Sequence, residues 1–131
     1  HVADQLNQWG FSVRGYDQYG HGESAGIRGE LPTDDQLLTD LAAVIDDTRI
    51  RMDDRLPLIL LGHSLGGLVA ARLVSLKLRR GDALVLSGLV GSAAEGQVIR
   101  ADGRGPLDDP EGLGRSVAAR LLEQGAGAFL A

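Results

Sequence analysis

Residues 58–69 read LILLGHSLGGLV, and this stretch decides the fold. Its first four residues are all apolar and do not alternate with polar ones, which is typical of a strand covered on both faces. Apolar residues at helical spacing follow from Ser64 to Leu78. Between the two patterns lies G-x-S-x-G, so the sequence predicts a strand, a sharp turn that carries Ser64, and a helix.

The turn has the residue types that a nucleophilic serine needs. A strained backbone at Ser64 would project its hydroxyl above the carboxyl edge of the sheet, and Gly62 and Gly66 would let the strand and the helix approach closely. The Leu65 N–H, at the helix N-terminus, would donate to an oxyanion formed during acyl transfer. The alternative interpretation is a structural glycine-rich turn with an incidental serine.

Helices and strands alternate on both sides of this turn. Apolar spacing, caps and turn residues predict helices at Val2–Trp9, Thr33–Met52, Ser64–Leu78 and Pro110–Gln124, and strands at Phe11–Asp17, Leu56–Leu61 and Ala83–Ser87. Thr33 and Gln36 are predicted to form a capping box, Gly81 to follow the C-cap of the third helix, and Asp109 to cap the last one. Crossovers of these lengths imply an α/β fold with a mostly parallel sheet over residues 2–90. After Gly91 glycines interrupt the pattern, so residues 91–131 are predicted to be an irregular tail or an abbreviated cap.

Composition excludes several classes of protein. The chain has 131 residues, 44% of them hydrophobic and 24% charged, as in a globular domain. Its net charge of −5, with both signs mixed along the chain, makes nucleic acid a poor partner. It contains no cysteine, so thiolate nucleophiles and cysteine-based zinc sites are excluded. We expect no transmembrane segment, because no apolar run approaches ~20 residues and no signal-peptide pattern opens the chain. A cytoplasmic location is expected, while the lack of cysteine leaves the redox compartment open.

A second motif precedes the serine turn. Residues 17–29 read DQYGHGESAGIRG, a glycine-rich loop that contains Asp17, Gly20, His21 and Gly22. Together with GHSLGG at residues 62–67, this loop resembles the α/β-hydrolase superfamily, and more narrowly its monoacylglycerol lipase and lysophospholipase-like branch, of the serine aminopeptidase S33 type. The branch has an arginine where this chain has Tyr19. The resemblance covers about residues 1–90 and implies an incomplete α/β-hydrolase core.

The same loop also resembles a dinucleotide-binding fingerprint. Gly20-x-Gly22-x-x-Ala25 follows a predicted strand, with Asp40 near the spacing of a ribose ligand. That fingerprint must open a helix, however, and the glycines and Pro32 that follow disfavour one, so no cofactor is expected. No metal site is expected either. The resemblance implies a structural role for His21. His63, next to the nucleophile, is expected to pack or to form a hydrogen bond away from the serine hydroxyl.

The sequence does not supply a complete catalytic triad. In this fold the chain order is serine, then an acid, then histidine. The three histidines are at positions 1, 21 and 63, so none follows Ser64, although acids do at Asp82, Asp102, Asp108 and Asp109. The resemblance further implies that a second oxyanion donor and its strand would precede His1. We therefore expect the chain to be part of a longer hydrolase, with a tail that is either a shortened cap or the product of a changed reading frame.

Two classes of function follow. The first is a serine hydrolase that uses Ser64 on carboxylic esters, with monoacylglycerols or lysophospholipid-like lipids as expected substrates; peripheral membrane contact and the oligomeric state stay open. The second is a catalytically silent fragment or interaction module. Within the enzyme class, an acyltransferase, a thioesterase or an aminopeptidase of the same fold stays open.

Overall fold

The structure is a computed structural model that describes residues 2–33, 35–92, 97–105 and 108–129. It divides into two units, His1–Gln36 and Leu37–Ala131, and each is described by itself.

The first unit holds one helix and a glycine-rich loop. Helix α1 spans Val2–Gln8 and confirms the predicted first helix. The predicted strand at Phe11–Asp17 is wrong, because this stretch forms no β ladder and Phe11 and Val13 stay exposed. Alternation alone cannot hold a strand, since an extended chain needs a hydrogen-bonding neighbour on at least one edge.

The second unit contains a three-stranded sheet with helices before, between and after its strands. Its elements are α2 (Gln36–Arg51), β1 (Ile59–His63), α3 (Leu65–Ser75), β2 (Ala83–Ser92), β3 (Gln97–Gly105), α4 (Pro110–Glu123) and a short 3₁₀ helix (Ala126–Phe129). The strand order is β1-β2-β3, with β1 and β2 parallel and β2 and β3 antiparallel. The predicted α/β fold is confirmed, but the sheet is mixed because β3, which the sequence pattern does not predict, returns as a hairpin.

Two predicted helix boundaries need correction. Helix α2 begins at Gln36, three residues after the Thr33 at which the capping box was predicted to start it, and Asp34 lies outside the described residues. Helix α3 ends at Ser75, well before Gly81. Just after its end, Lys77 takes a positive φ of 55°. The Leu78 N–H donates to the Leu73 carbonyl at 3.1 Å and the Lys77 N–H to the Val74 carbonyl at 2.9 Å, which is a Schellman motif. A lysine therefore takes the place that the pattern assigned to glycine.

The predicted cap of α4 is confirmed. The Asp109 carboxylate accepts a hydrogen bond from the Gly112 N–H at 2.8 Å, and Pro110 occupies the first turn, where a missing N–H has no cost.

Both α3 and α4 cover the same face of the sheet. Leu73 of α3 and Leu84 of β2 are fully buried between the layers. On β1, Leu60 and Gly62 are buried while the alternate residues are exposed, with Leu61 52% exposed. The opposite face, called the open face below, carries Ile59, Leu61 and His63 of β1 and their register partners on β2.

A salt bridge connects α2 to Asp82, the residue that directly precedes β2. Arg49 donates to the Asp82 carboxylate at 2.8 Å, and the Leu58 N–H donates to the same carboxylate at 2.7 Å. The Leu58 N–H, and then the Arg49 guanidinium, hold the pKa of Asp82 below its ordinary value. The Arg79 guanidinium likewise lowers the pKa of Asp46.

Candidate active site

Ser64 lies at the junction of β1 and α3, where the chain reverses abruptly. Its backbone has φ 53° and ψ −123°, a conformation that residues with a side chain rarely adopt. The side chain is exposed, and its hydroxyl makes no capping hydrogen bond to the helix that it precedes. The sequence-based prediction of a strained turn that presents a serine is therefore confirmed in its geometry.

Close approach of strand and helix explains one of the predicted glycines. A Cβ on Gly62 would lie 2.5 Å from the Gly66 carbonyl oxygen and 2.6 Å from the Gly67 Cα, both backbone atoms that cannot move aside. The predicted steric role of Gly66 is wrong, since a Cβ there would meet no atom within 4 Å. Gly67 takes that role, because its Cβ would lie 3.1 Å from the Gly62 carbonyl oxygen.

The N-terminus of α3 offers amide groups beside the serine. The Ser64 carbonyl accepts the first helical hydrogen bonds, from the Gly67 N–H at 2.9 Å and the Leu68 N–H at 3.2 Å. The N–H groups of Leu65 and Gly66 lie in the first turn of the helix, so no preceding helical carbonyl is available to accept a hydrogen bond from them. They therefore lie at the positive end of the helix, where an oxyanion is favoured.

The turn is anchored on a single residue of β2. The Ser64 N–H donates to the Ser87 carbonyl at 2.9 Å, and the His63 Nδ1 lies 3.1 Å from the Ser87 Oγ. The expectation that His63 forms a hydrogen bond away from the Ser64 hydroxyl is confirmed. Sequence reasoning did not single out Ser87, because a serine in a short apolar strand carries no motif, and only the β1–β2 register reveals its partner.

The loop at residues 17–29 is held by its own hydrogen bonds. The Asp17 carboxylate accepts from the Glu23 N–H at 2.9 Å, and the Asp17 carbonyl accepts from the Ser24 hydroxyl at 2.6 Å. Gly22 has φ 52°, and a Cβ there would overlap the Asp17 carboxylate. The His21 Nδ1 donates to the Tyr19 carbonyl at 3.0 Å, so this imidazole serves the loop backbone, as the resemblance implied.

Gly20 belongs to the same packing. It has φ 73°, and a Cβ there would lie 2.7 Å from the Ile27 carbonyl oxygen. No helix opens from this loop, which differs from what a dinucleotide fingerprint requires.

Two of the acidic residues that follow Ser64 in the sequence have other partners. The Asp82 carboxylate accepts hydrogen bonds from Arg49 and from the Leu58 N–H. Asp109 caps α4. Among the residues that the structure describes, no group of three or more acidic, histidine or cysteine side chains could hold a metal ion. In that same part of the chain, no helix has the length and apolar character to cross a bilayer.

A parallel β1–β2 pair, a crossover helix and a strained serine turn define an α/β-hydrolase type of chain. A sequence profile of the family described as serine aminopeptidase, S33, matches residues 1–101. The chain therefore belongs to this hydrolase family. No solved structure matches the chain significantly.

Proteins that are described as porphobilinogen deaminases, and not as hydrolases, also match parts of the chain. It is 57% identical over 51 residues to a porphobilinogen deaminase of Stenotrophomonas maltophilia strain K279a, which is 39% of this chain and 17% of that protein. It is 38% identical over 102 residues to a porphobilinogen deaminase of Xanthomonas oryzae pv. oryzae strain PXO99A, which is 78% of this chain and 33% of that protein. The chain thus spans a third or less of these relatives.

Proposed function

We propose that the protein is part of a serine hydrolase in which Ser64 attacks the carbonyl carbon of a carboxylic ester. The observation that carries the proposal is the exposed serine at the strand-to-helix turn, whose backbone has φ 53° and ψ −123° and whose hydroxyl makes no capping hydrogen bond, since strained backbone of this kind clusters at active sites. The Leu65 N–H would stabilise the tetrahedral oxyanion. Monoacylglycerols or lysophospholipid-like lipids are the proposed substrates, following the resemblance of the loop at residues 17–29.

The proposal includes a base, and none of the residues that the structure describes is shown to supply it to Ser64. Both described histidines have other partners, since His21 bonds a backbone carbonyl and His63 contacts Ser87. Loss of the base alone leaves a residual rate, orders of magnitude below that of a complete triad, through oxyanion stabilisation and binding. We therefore expect slow, measurable acylation of Ser64 in this chain.

A fluorophosphonate probe tests the assignment. Trypsin cuts after Arg55 and Arg72, so Ser64 is isolated on the peptide of residues 56–72. The probe is expected to modify this peptide in the chain and not in the Ser64→Ala variant. Modification no faster than that of the exposed serine Ser12 would remove Ser64 from the mechanism and favour the silent-module alternative.

A substrate panel separates the enzymes of this fold. Comparison of p-nitrophenyl esters of increasing acyl length with aminoacyl p-nitroanilides distinguishes an esterase from an aminopeptidase, the activity in the family's description. Preference for long acyl chains would support the lipid assignment. Transfer to an added alcohol or thiol, in place of hydrolysis, would indicate an acyltransferase.

The deaminase relatives support a second candidate for the tail. The family profile ends at residue 101, whereas β2, β3 and α4 form a continuous ββα unit in which α4 packs on both strands. The 102-residue match must include residues 30–102 of a 131-residue chain and so extends well before this unit. We propose that the shorter match, of 51 residues, lies in the ββα unit. Consumption of porphobilinogen by the chain, unaffected by Ser64→Ala, would make deaminase chemistry the better assignment.

A further inference from the structure

The strained backbone of Ser64 needs restraints from the residues around it. Its φ of 53° and ψ of −123° form an unfavourable combination, which persists only where the neighbouring structure imposes it. On the helix side, the Ser64 carbonyl accepts from the Gly67 N–H and the Leu68 N–H. On the strand side, the hydrogen bonds of the turn converge on Ser87 of β2.

Ser87 holds both of the residues at the end of β1. Its carbonyl accepts from the Ser64 N–H at 2.9 Å, and its hydroxyl lies 3.1 Å from the His63 Nδ1. Ser87 lies in the middle strand of the sheet, in register with His63 on one side and with Asp102 on the other. A residue that is paired on both sides has little freedom to move, so Ser87 is a fixed point that can hold the turn.

The two contacts restrain the peptide plane that joins His63 to Ser64. The Ser64 N–H belongs to this plane, and the imidazole is attached to the Cα at its other end. A relaxation of the Ser64 backbone that rotates the plane breaks the bond from the N–H, and one that displaces the His63 Cα breaks the contact of the imidazole. The Ser87 hydroxyl therefore adds a restraint that the hydrogen bond of the backbone alone does not supply.

We propose that Ser87 is a positioning residue: its hydroxyl, through the hydrogen bond with His63, holds the strained turn in the conformation that presents the Ser64 hydroxyl beside the Leu65 N–H. This inference rests on the proposed function of Ser64. Neither Ser87 nor His63 touches the substrate, so the role needs no access to the open face. It holds equally where a helix covers that face, because a covered imidazole needs a polar partner and Ser87 supplies one.

Time courses of fluorophosphonate labelling test the positioning role, with Ser64 read on the tryptic peptide of residues 56–72. The half-saturating probe concentration and the rate constant at saturation are measured separately. Ser87→Ala removes the hydroxyl and keeps the carbonyl, so it should lower the rate constant by about threefold to tenfold, the factor that one net hydrogen bond contributes. The half-saturating concentration should stay unchanged, because the lost restraint acts on the reacting hydroxyl and not on probe binding. Ser87→Thr keeps a hydroxyl on a side chain that strands favour, and it should restore the rate constant to within about twofold.

Controls separate positioning from a general loss of structure. Ser116→Ala removes an exposed hydroxyl from α4 and should leave labelling unchanged. His63→Ala should slow labelling by the same factor as Ser87→Ala, and the double variant should be no slower, because the two side chains act through one hydrogen bond. Circular dichroism gives the folded fraction of each variant, by which its rate constant is corrected.

Equal rate constants in the chain and in Ser87→Ala would overturn the proposal, and so would effects of Ser87→Ala and His63→Ala that multiply in the double variant. A Ser87→Thr variant as slow as Ser87→Ala would do the same. If Ser87→Ala does not fold, an unchanged rate constant in His63→Ala overturns the proposal by itself. No labelling of Ser64 in the chain without substitutions would instead refute the proposed function, and the positioning role with it.

Discussion

Replacement of Gly62 by alanine tests the close approach that creates the serine turn. The new Cβ would lie 2.5 Å from the Gly66 carbonyl oxygen, 2.6 Å from the Gly67 Cα and 2.7 Å from the Gly67 nitrogen. Overpacking costs about 1–3 kcal/mol when side chains can adjust. Here all three contacts are backbone atoms, so we expect Gly62→Ala to lower the free energy of unfolding by about 3 kcal/mol.

Gly66→Ala is the matched control, since it adds the same methyl group four residues later. A Cβ at Gly66 meets nothing within 4 Å, and alanine is favoured over glycine in a helix by up to about 1 kcal/mol. Urea unfolding followed by circular dichroism measures both variants. With an m value of about 2 kcal/mol/M, the midpoint of Gly62→Ala should fall by about 1.5 M and that of Gly66→Ala should hold or rise. Equal midpoints for the two variants would refute the steric explanation of the turn.

Three further predictions concern the core, the charges and a helix cap. Leu73→Ala removes a fully buried side chain and should cost about 2–5 kcal/mol in urea unfolding, whereas Leu68→Ala, at a position 68% exposed, should change stability by less than about 0.5 kcal/mol. Asp82 has a pKa lowered by the Leu58 N–H, so its contribution to stability is present above the ordinary pKa of 3.8 and is lost as the pH falls through the folded-state value. Urea midpoints measured from pH 6 downward should therefore drop more steeply for the chain than for Asp82→Asn, and parallel curves would contradict this. Asp109→Ala removes the cap of α4 and should cost about 1 kcal/mol, and an unchanged midpoint would show that the cap contributes nothing.

The strand-turn-helix at the serine could be predicted because its signals are local. An unbroken apolar run, a glycine at the tightest contact and apolar residues at helical spacing all lie within residues 58–78. The signal for the cap at Asp109 is equally local, since the capping carboxylate accepts a hydrogen bond from the N–H of a residue only three positions later.

Features set by distant partners were missed. Phe11–Asp17 alternates like a strand, but no neighbouring strand pairs with it among the described residues. β3 is a strand because β2 supplies its partner, while its own sequence, with glycines at 103 and 105, reads as loop. The packing of helix α4 on β3 explains the glycine at position 103, since a Cβ there would lie 2.6 Å from a methyl group of Val117. The contact between His63 and Ser87 likewise depends on strand register, which spacing along the chain does not reveal.

The double pairing of β2 has a consequence for the order in which the chain assembles. Only residues 93–96 separate β2 from β3, whereas residues 64–82, including α3, separate β1 from β2. Closing the shorter loop loses less chain entropy, so the hairpin with α4 should form in the folding transition state and β1 should join afterwards. Destabilising changes in the hairpin would then slow refolding, while those in β1 would mainly accelerate unfolding. The strand that leads into Ser64 would accordingly be ordered after the hairpin.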